Sequence, residues 1–194
     1  MLYPAEYDIT ILQNAMWKGT FRATQNRKAL TSISIATGTP TFLCNCHGFS
    51  AGDKVVFTGG TTIPCGITIN SIYYVISAGL TTDAFQVSAT SGGSSIAVSG
   101  TATGTFYVST PLDLTGYTVD SDIKGLTDGA SIGTFTPTIT SATEGEFELT
   151  LTPATTATFS ANRYGYDVSL SQGGNERYYW LTGVATVQKT YSRN

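Results

Sequence analysis

The chain has 194 residues, of which 41% are hydrophobic, 11% aromatic and only 12% charged. This length suits one large or two small domains, and the apolar content predicts packed cores rather than disorder. A formal net charge of −3 argues against nucleic acid as a partner, because nucleic-acid-binding surfaces are basic. No apolar run approaches the ~20 residues of a membrane span, so we expect no membrane partner.

The charged share is about half of the ~25% that is typical of soluble domains, and Thr, Ser and 21 Gly take its place. This composition is typical of short β-strands joined by tight turns, and it predicts an all-β protein. The first ten residues lack the basic start and apolar core of a signal peptide. We therefore expect a protein that is made in a cytosol and stays there or leaves by lysis.

Two strands are predicted at the start of the chain, over residues 7–12 and 16–23. Tyr7, Ile9 and Ile11 alternate with polar residues and should share one face. Asn14 interrupts the pattern, which indicates either a hairpin or a bend between two sheets. The polar residues 24–28 that follow are predicted to form an exposed connection.

The next region, residues 30–108, is punctuated by turn-forming residues at regular intervals. Many short strands with such punctuation are typical of a small barrel or sandwich, and no helical period appears. The predicted strands are residues 32–36, 41–46, 54–58, 66–70, 72–77, 84–88, 95–98 and 104–108.

The C-terminal region is predicted to be β-structure interrupted by one short helix. Phe147, Leu149 and Leu151 share one strand face, and Thr152 before Pro153 is a helix start signal. In the next strand Tyr164, Tyr166, Val168 and Leu170 should point inward. The other predicted strands are residues 118–123, 133–139 and 177–187, the last preceded by a turn over residues 172–175.

Three cysteines, Cys44, Cys46 and Cys65, are an odd number and do not indicate a disulfide framework. The run from Cys44 to His47 could suggest a metal site with Cys65 as fourth ligand, but C-x-C is a poorer spacing than the usual zinc motif. Strand alternation instead places Cys44 and Cys46 on the face of Phe42, as small core residues. We therefore predict no metal.

The sequence contains no convincing catalytic constellation. His47 is the only histidine, and no nucleophile or acid pairs with it by motif. Asp120, Asp122 and Asp128 do not follow the EF-hand pattern, which leaves a different calcium site as a weak alternative. Glu146 and Glu148 would lie about 6–7 Å apart on one strand face, and glycosidases use paired carboxylates. Because that face is a sheet exterior with no sign of a cleft, a role in solubility is favoured. We predict a protein that is not an enzyme and has no cofactor.

Two aromatic runs are the weak candidates for partner binding. They are Tyr178, Tyr179 and Trp180 near the end of the chain, and Tyr73 and Tyr74 in the middle. Such residues can stack on sugars or enter protein interfaces, although core packing is their commoner role. Because consecutive strand residues face opposite sides, only part of each run can share a surface.

Four segments resemble one family when they are taken in order: PLDLTGYT at residues 111–118, GEFELTLTPATT at 145–156, YGYDVSL at 164–170 and GVATV at 183–187. They resemble the immunoglobulin-like N-terminal domain of phage baseplate upper proteins and related phage tail proteins. That family usually opens with a strand pair similar to residues 7–12 and 16–23, soon followed by the PLDLTGYT-type segment. The resemblance therefore implies a discontinuous immunoglobulin-like β-sandwich of residues 1–30 plus 109–194, with 31–108 inserted as a small β-barrel-like domain.

The predicted insert has a resemblance of its own. HGFSAGDKV at residues 47–55, followed by YYVI at 73–76 and FQVS at 85–88, resembles a small β-module found in phage tail and virion proteins. Together the two resemblances imply a virion structural protein, a small adaptor in the tail, baseplate or neck. Its expected partners are other virion proteins such as fibres, and copies of itself in a symmetric ring. The alternatives are a capsid decoration protein and a glycan-binding module for host recognition.

Overall fold

The structure, a computed structural model, describes residues 5–35, 40–173 and 176–190. Ala36 of the first predicted strand of the insert, and Gly174 and Asn175 of the predicted last turn, lie outside the described residues. In chain order the elements are β1 (Ala5–Glu6), β2 (Ile9–Leu12), β3 (Trp17–Arg22), β4 (Thr24–Ala29), β5 (Ser32–Ser34), β6 (Thr41–Leu43), β7 (Lys54–Gly59), β8 (Ile72–Ile76), β9 (Ala84–Ser88), β10 (Phe106–Pro111), β11 (Tyr117–Gly125), β12 (Ser131–Thr134), β13 (Thr136–Ser141), the 3₁₀ turn Ala142–Glu144, β14 (Glu146–Leu151), α1 (Pro153–Ala157), β15 (Arg163–Gln172) and β16 (Glu176–Gln188).

The fold is all-β, and the chain divides into two compact units. The first contains Met1–Ala23 and Asp113–Asn194, and the second is the intervening Thr24–Leu112. The predicted boundaries at residues 30 and 109 need correction, because residues 24–28 are not an exposed connection. They belong to β4, which pairs antiparallel with β10 inside the second unit. Its side chains are polar on both faces, so its sequence resembles a loop although its backbone is part of a sheet.

The first unit is an immunoglobulin-like sandwich of two sheets. The larger sheet has the order β1–β16–β15–β11–β12, with β2 also paired to β16, and the smaller has the order β13–β14–β3. The N-terminal strands run parallel to the last strand, while the other pairs are antiparallel. Two such sheets packed face to face are the architecture of the immunoglobulin-like sandwich.

The alternating strands place their apolar faces between the sheets, as predicted. Phe147, Leu149 and Leu151 are all buried on β14. Across the sandwich the Phe147 ring meets Trp180 edge-on, with centroids 5.6 Å apart. Within the small sheet it stacks on Phe21 of β3, with centroids 5.8 Å apart. The C-terminal strand β14 therefore packs on the N-terminal strand β3 across the insertion, as the predicted discontinuous sandwich requires.

The crossover from β14 to β15 contains the predicted short helix. The Thr152 side chain accepts a hydrogen bond from the Thr155 N–H, and Pro153 occupies the first turn, where its missing N–H costs nothing. At the start of β15, the Tyr164 hydroxyl donates to the Ser160 carbonyl over 3.0 Å. A buried tyrosine that bonds back to this corner is a hallmark of immunoglobulin-like sandwiches.

The predicted strand over residues 133–139 is two strands in different sheets. β12 pairs with β11 in the large sheet, whereas β13 pairs with β14 in the small one. Phe135 lies between them and is buried, with its ring 5.1 Å from Trp17 and 5.8 Å from Tyr166. Residues 7–23 also change sheets: Asn14, with φ of 58°, lies between β2 and β3, so the alternative of a bend between sheets is correct.

The second unit is one seven-stranded sheet with the order β4–β10–β7–β8–β9–β6–β5. Its end strands β4 and β5 do not pair with each other in the described residues, so the sheet is open rather than a closed barrel. Its core centres on Phe42, Phe57 and Phe85, whose rings pack on one another with centroids 4.7–6.4 Å apart.

Two predicted strands of this unit, residues 66–70 and 95–98, are not strands. Gly66 and Asn70 have positive φ, which ends any extended run between them. Ile67 and Val98 still reach the core from these loops. The alternation of apolar residues therefore correctly indicated buried side chains, but it did not indicate paired strands.

Candidate partner-binding surfaces

The middle aromatic run divides between the core and a sheet face. Tyr73 is 6% exposed, and its ring lies 5.6 Å from that of Phe57. Its hydroxyl accepts from the Thr68 N–H over 2.8 Å and contacts the Gly66 carbonyl at 3.4 Å. Tyr73 is therefore a core residue that holds a loop, and it is removed from the candidate sites. Tyr74 points to the opposite face and is half-buried.

A β-bulge separates the three aromatics of the other run. On β15 and β16, Val168 pairs with Leu181 and Ser169 pairs with Tyr179, so Trp180 is the extra residue. At such a bulge two consecutive side chains leave on nearly the same side. Leu181 and Trp180 consequently both enter the sandwich, where Trp180 packs on Phe147. Trp180 is thereby excluded from an exposed aromatic platform.

Tyr178 and Tyr179 remain at the surface, 55% and 52% exposed. Tyr178 pairs with the inward residue Leu170, and Tyr179 pairs with Ser169 on the other face of the sheet. Their rings therefore leave opposite faces of β16 and cannot form one stacking platform. Each ring belongs to a different surface of the sandwich.

The outer face of the large sheet carries Tyr179 beside a set of polar residues. We call this the Tyr179 face: Tyr179, Arg177, Asp120, Thr118 and Ser171. The Arg177 guanidinium lies 3.6 Å from the Asp120 carboxylate, and both side chains are about half exposed. The hydroxyls of Thr118 and Ser171 are 2.6 Å apart. An exposed ring next to hydrogen-bonding groups on a rigid sheet can meet either a polar protein surface or a sugar.

Two aspartates extend this face along the sheet. Asp122 and Asp167 lie opposite each other on β11 and β15. Burial raises the pKa of the Asp167 carboxyl above its ordinary value of 3.8; Lys124 and Arg177 act against this shift, and Asp122 reinforces it. Asp128 does not join them, because its carboxylate accepts from the Ala130 N–H in the turn after β11. In the described part of the chain, no three His, Cys, Asp or Glu residues are grouped as metal ligands.

Apart from Tyr7, the exposed large apolar side chains described in the sandwich lie near its two opposite ends. Tyr178 and Tyr179 lie near the insertion end, where Tyr117 at the start of β11 pairs with Gln172 at the end of β15. At the other end, which we call the helix end, the Thr156 hydroxyl of α1 donates to the Ala15 carbonyl over 2.8 Å. Three exposed apolar residues lie at the helix end: Leu12, Met16 and Leu126.

The second unit has an open cavity of about 410 Å³ that contains the only histidine, and we call it the His47 groove. The buried His47 ring accepts from the Phe49 N–H at Nδ1 over 2.9 Å, so the proton belongs on Nε2, which faces the Ala84 carbonyl at 3.3 Å. Lys28 donates to the carbonyls of Cys46 and His47 over 2.6 and 2.9 Å. Both imidazole nitrogens are used by the backbone, so the ring holds the loop and offers no atom to a substrate.

The cysteines do not share a strand face as predicted. β6 ends at Leu43, and Cys46 sits in a turn with φ of 48°. Cys44 is buried, whereas Cys46 and Cys65 are exposed free thiols. Burial raises the pKa of the Cys44 thiol, with Lys28 acting in the opposite direction and Asp83 in the same one. The prediction of two core cysteines is thus right for Cys44 and wrong for Cys46.

The two glutamates that resembled an acid pair are held in ion pairs on the small sheet. Glu148 lies 2.7 Å from Lys18, and Glu146 lies 2.7 Å from Arg22. Arg22 also donates to the Glu144 carbonyl over 2.7 Å. These contacts connect β14 to β3 across the outer face of the sheet, which is a structural use of both carboxylates.

No protein-family model matches the chain, and no curated protein matches it either. In the described residues, no helix is long and apolar enough to cross a bilayer.

Proposed function

We propose that this chain is a structural protein of a phage virion, a small adaptor in the tail, baseplate or neck. It assembles with copies of itself and attaches other virion components such as fibres. The observation that carries the proposal is the interrupted immunoglobulin-like sandwich. The sequence resemblance to the baseplate domain implies one insertion between the N-terminal strand pair and the PLDLTGYT segment, and a compact unit, Thr24–Leu112, occupies that interval.

The distribution of exposed apolar residues supports an adaptor. An adaptor needs two separate binding surfaces, and aromatic residues and Met are enriched at such surfaces. The sandwich exposes Tyr178 and Tyr179 at the insertion end and Met16, 68% exposed, at the helix end. Two partners could therefore bind the rigid sandwich without competing for one surface.

The test is the protein content of the particle. Virions of the phage that encodes this chain, purified on a density gradient, should contain it in a fixed ratio to the major tail or capsid protein. Quantitative mass spectrometry measures that ratio. Particles that lack the chain while the infected cells contain it would refute the virion role.

A glycan-binding module is the second candidate, and the Tyr179 face is the observation that favours it. A ring that is 52% exposed lies on the same sheet face as the Arg177 and Asp120 pair, and stacking with adjacent polar groups is how proteins hold sugars. A glycan array with the purified chain tests this. Tyr179→Ala should abolish any specific signal, and Tyr74→Ala in the other unit is the matched control. A decoration protein would instead be found on the capsid.

A further inference from the structure

Among the described strands of the sandwich, one edge strand has a backbone that is open to pairing with another chain. Exposed sheet edges are normally protected by proline, by bulges, by short length or by charged side chains. β13 contains Pro137, which has no N–H to donate. β1 and β2 have only two and four residues, and β12 has four and faces a register shift. In contrast β3 has six residues, no proline and an unbroken register with β14, so its only protection is the charge of Lys18 and Arg22.

The orientation of the β3 backbone follows from one hydrogen bond. Ala23, just after β3, donates to the Gly145 carbonyl over 2.8 Å. In an antiparallel pair the hydrogen-bonded positions recur at every second residue. The N–H groups of Trp17, Gly19 and Phe21 therefore point toward β14. Those of Lys18, Thr20 and Arg22 point to the open edge, together with their carbonyls.

Half-buried aromatic rings accompany this row of donors and acceptors. Trp17 and Phe21 lie on the inner face of β3, and atoms of both rings lie within 3 Å of the place where a Cβ on Gly19 would be. Tyr7, 57% exposed, meets the Phe21 ring edge-on with centroids 5.9 Å apart. Met16 extends the apolar strip at the start of the strand. A strand added at this edge would complete the main-chain hydrogen bonds and cover these rings.

The charges along β3 select which strand fits. In a twofold antiparallel pair of β3 strands, each residue whose N–H and carbonyl point to the open edge must lie opposite another such residue, so that the two can exchange hydrogen bonds. If the twofold axis passes through Thr20, Lys18 lies opposite Arg22. If it passes through Lys18, the two copies of Lys18 lie opposite each other. Both registers are unfavourable because like charges meet. Centring the pair on Phe21 pairs only three residues of each strand. Centring it on Gly19 pairs five, with Lys18 opposite Thr20 and Trp17 opposite Phe21, so no like charges meet and aromatic pairs form.

We propose that β3 is the interface through which two copies of this chain form a twofold dimer, paired in the register centred on Gly19. The dimer joins the two small sheets into one continuous sheet. The inference deepens the self-assembly that we propose and rests on it. It concerns the purified chain alone, so its failure is distinguishable from absence of the chain from virions.

The experiment is sedimentation of the full chain over a concentration series up to about 1 mM. An interface of five paired residues from each copy is small, and we expect a dissociation constant between about 10 μM and 1 mM. Thr20→Lys should raise that constant about tenfold, since it creates two Lys–Lys contacts in the proposed register. Thr138→Lys is the matched control, because Thr138 on β13 and Thr20 on β3 both lie directly opposite Glu148 on the strand between them. Its dissociation constant should not change.

Amide hydrogen exchange by NMR locates the interface. The amides of Lys18, Thr20 and Arg22 should become protected as the dimer forms, while those of β13 should not change. A chain that stays monomeric to 1 mM, or a dimer that Thr20→Lys does not weaken, would overturn the proposal. Circular dichroism on both variants shows that they fold.

Discussion

The sandwich should fold without its insertion, because the two chain ends that a linker must join lie close together in the structure. Ala23 donates to the Gly145 carbonyl and Leu114 donates to the Ala142 carbonyl, while the Gly145 N–H itself bonds to the Ala142 carbonyl over 3.0 Å. The two chain ends therefore meet on the same 3₁₀ turn. A linker of four residues reaches about 13 Å, which is enough to join them. We predict that replacing residues 24–112 with Gly-Ser-Gly-Ser yields a folded sandwich.

The expected change in stability is small because the folded insert already holds its own ends together. Thr24 pairs with Pro111 across β4 and β10. An unfolded insert of this length would cost the sandwich about 3 kcal/mol more in loop closure than the short linker does. Since the insert is folded, that difference disappears, and the free energy of unfolding of the sandwich should change by about 1 kcal/mol or less.

Chemical denaturation of the deletion variant, followed by circular dichroism and NMR, measures this. The expected result is one cooperative transition and a dispersed amide spectrum. An eight-residue linker controls for strain in the shorter one. If both variants lack cooperative unfolding, the sandwich depends on the insert and the description of two compact units is refuted.

Three further predictions concern single side chains, and thermal or denaturant unfolding checks each of them. Trp180→Ala should destabilise the sandwich by about 3 kcal/mol, whereas the adjacent Tyr179→Ala should cost less than about 0.5 kcal/mol. The reason is that the bulge turns only Trp180 inward. Equal losses of stability in the two variants would contradict the bulge. Tyr164→Phe removes one hydrogen bond to Ser160 and should cost about 1 kcal/mol, and no loss would mean that the corner contact is not formed. Because burial raises the folded-state pKa of Asp167 above 3.8, its contribution to stability is complete below that pH and is lost as the pH rises through the raised pKa. Asp167→Asn should therefore be more stable than the wild type at about pH 7 and should lose this advantage near pH 3. The advantage should be less than about 0.5 kcal/mol because the carboxyl is only partly buried and solvent screens it. An advantage that is equal at both pH values would argue against the shifted pKa.

Strands with one buried face could be predicted from the sequence because their alternation is complete. Phe147, Leu149 and Leu151 satisfy that condition on β14, and Tyr164, Tyr166 and Val168 satisfy it on β15. In both strands every second side chain meets the opposite sheet, so hydrophobicity and geometry coincide.

The errors have local physical causes. β4 is polar on both faces because it lies at a sheet edge, so nothing in its pattern separates it from a loop. The turn that contains Cys46, with its positive φ, ends the predicted strand three residues early, at Leu43. Phe135 is buried between two strands of different sheets, so its neighbours appear to form one continuous strand.

The candidate surfaces were predicted only in part. The alternation rule correctly separated Tyr178 from Tyr179, but it could not detect the extra residue that sends Trp180 inward. The open edge of β3 left no signal in the sequence. It depends on which strands become neighbours, and that information is not local.

Cryo-electron microscopy of the intact virion tests the central claim most directly. The account predicts density in the tail, baseplate or neck into which the sandwich fits, with several copies arranged about the particle axis and with partner density at the exposed residues of its ends. A virion map of sufficient detail that leaves no density for this chain would contradict the account.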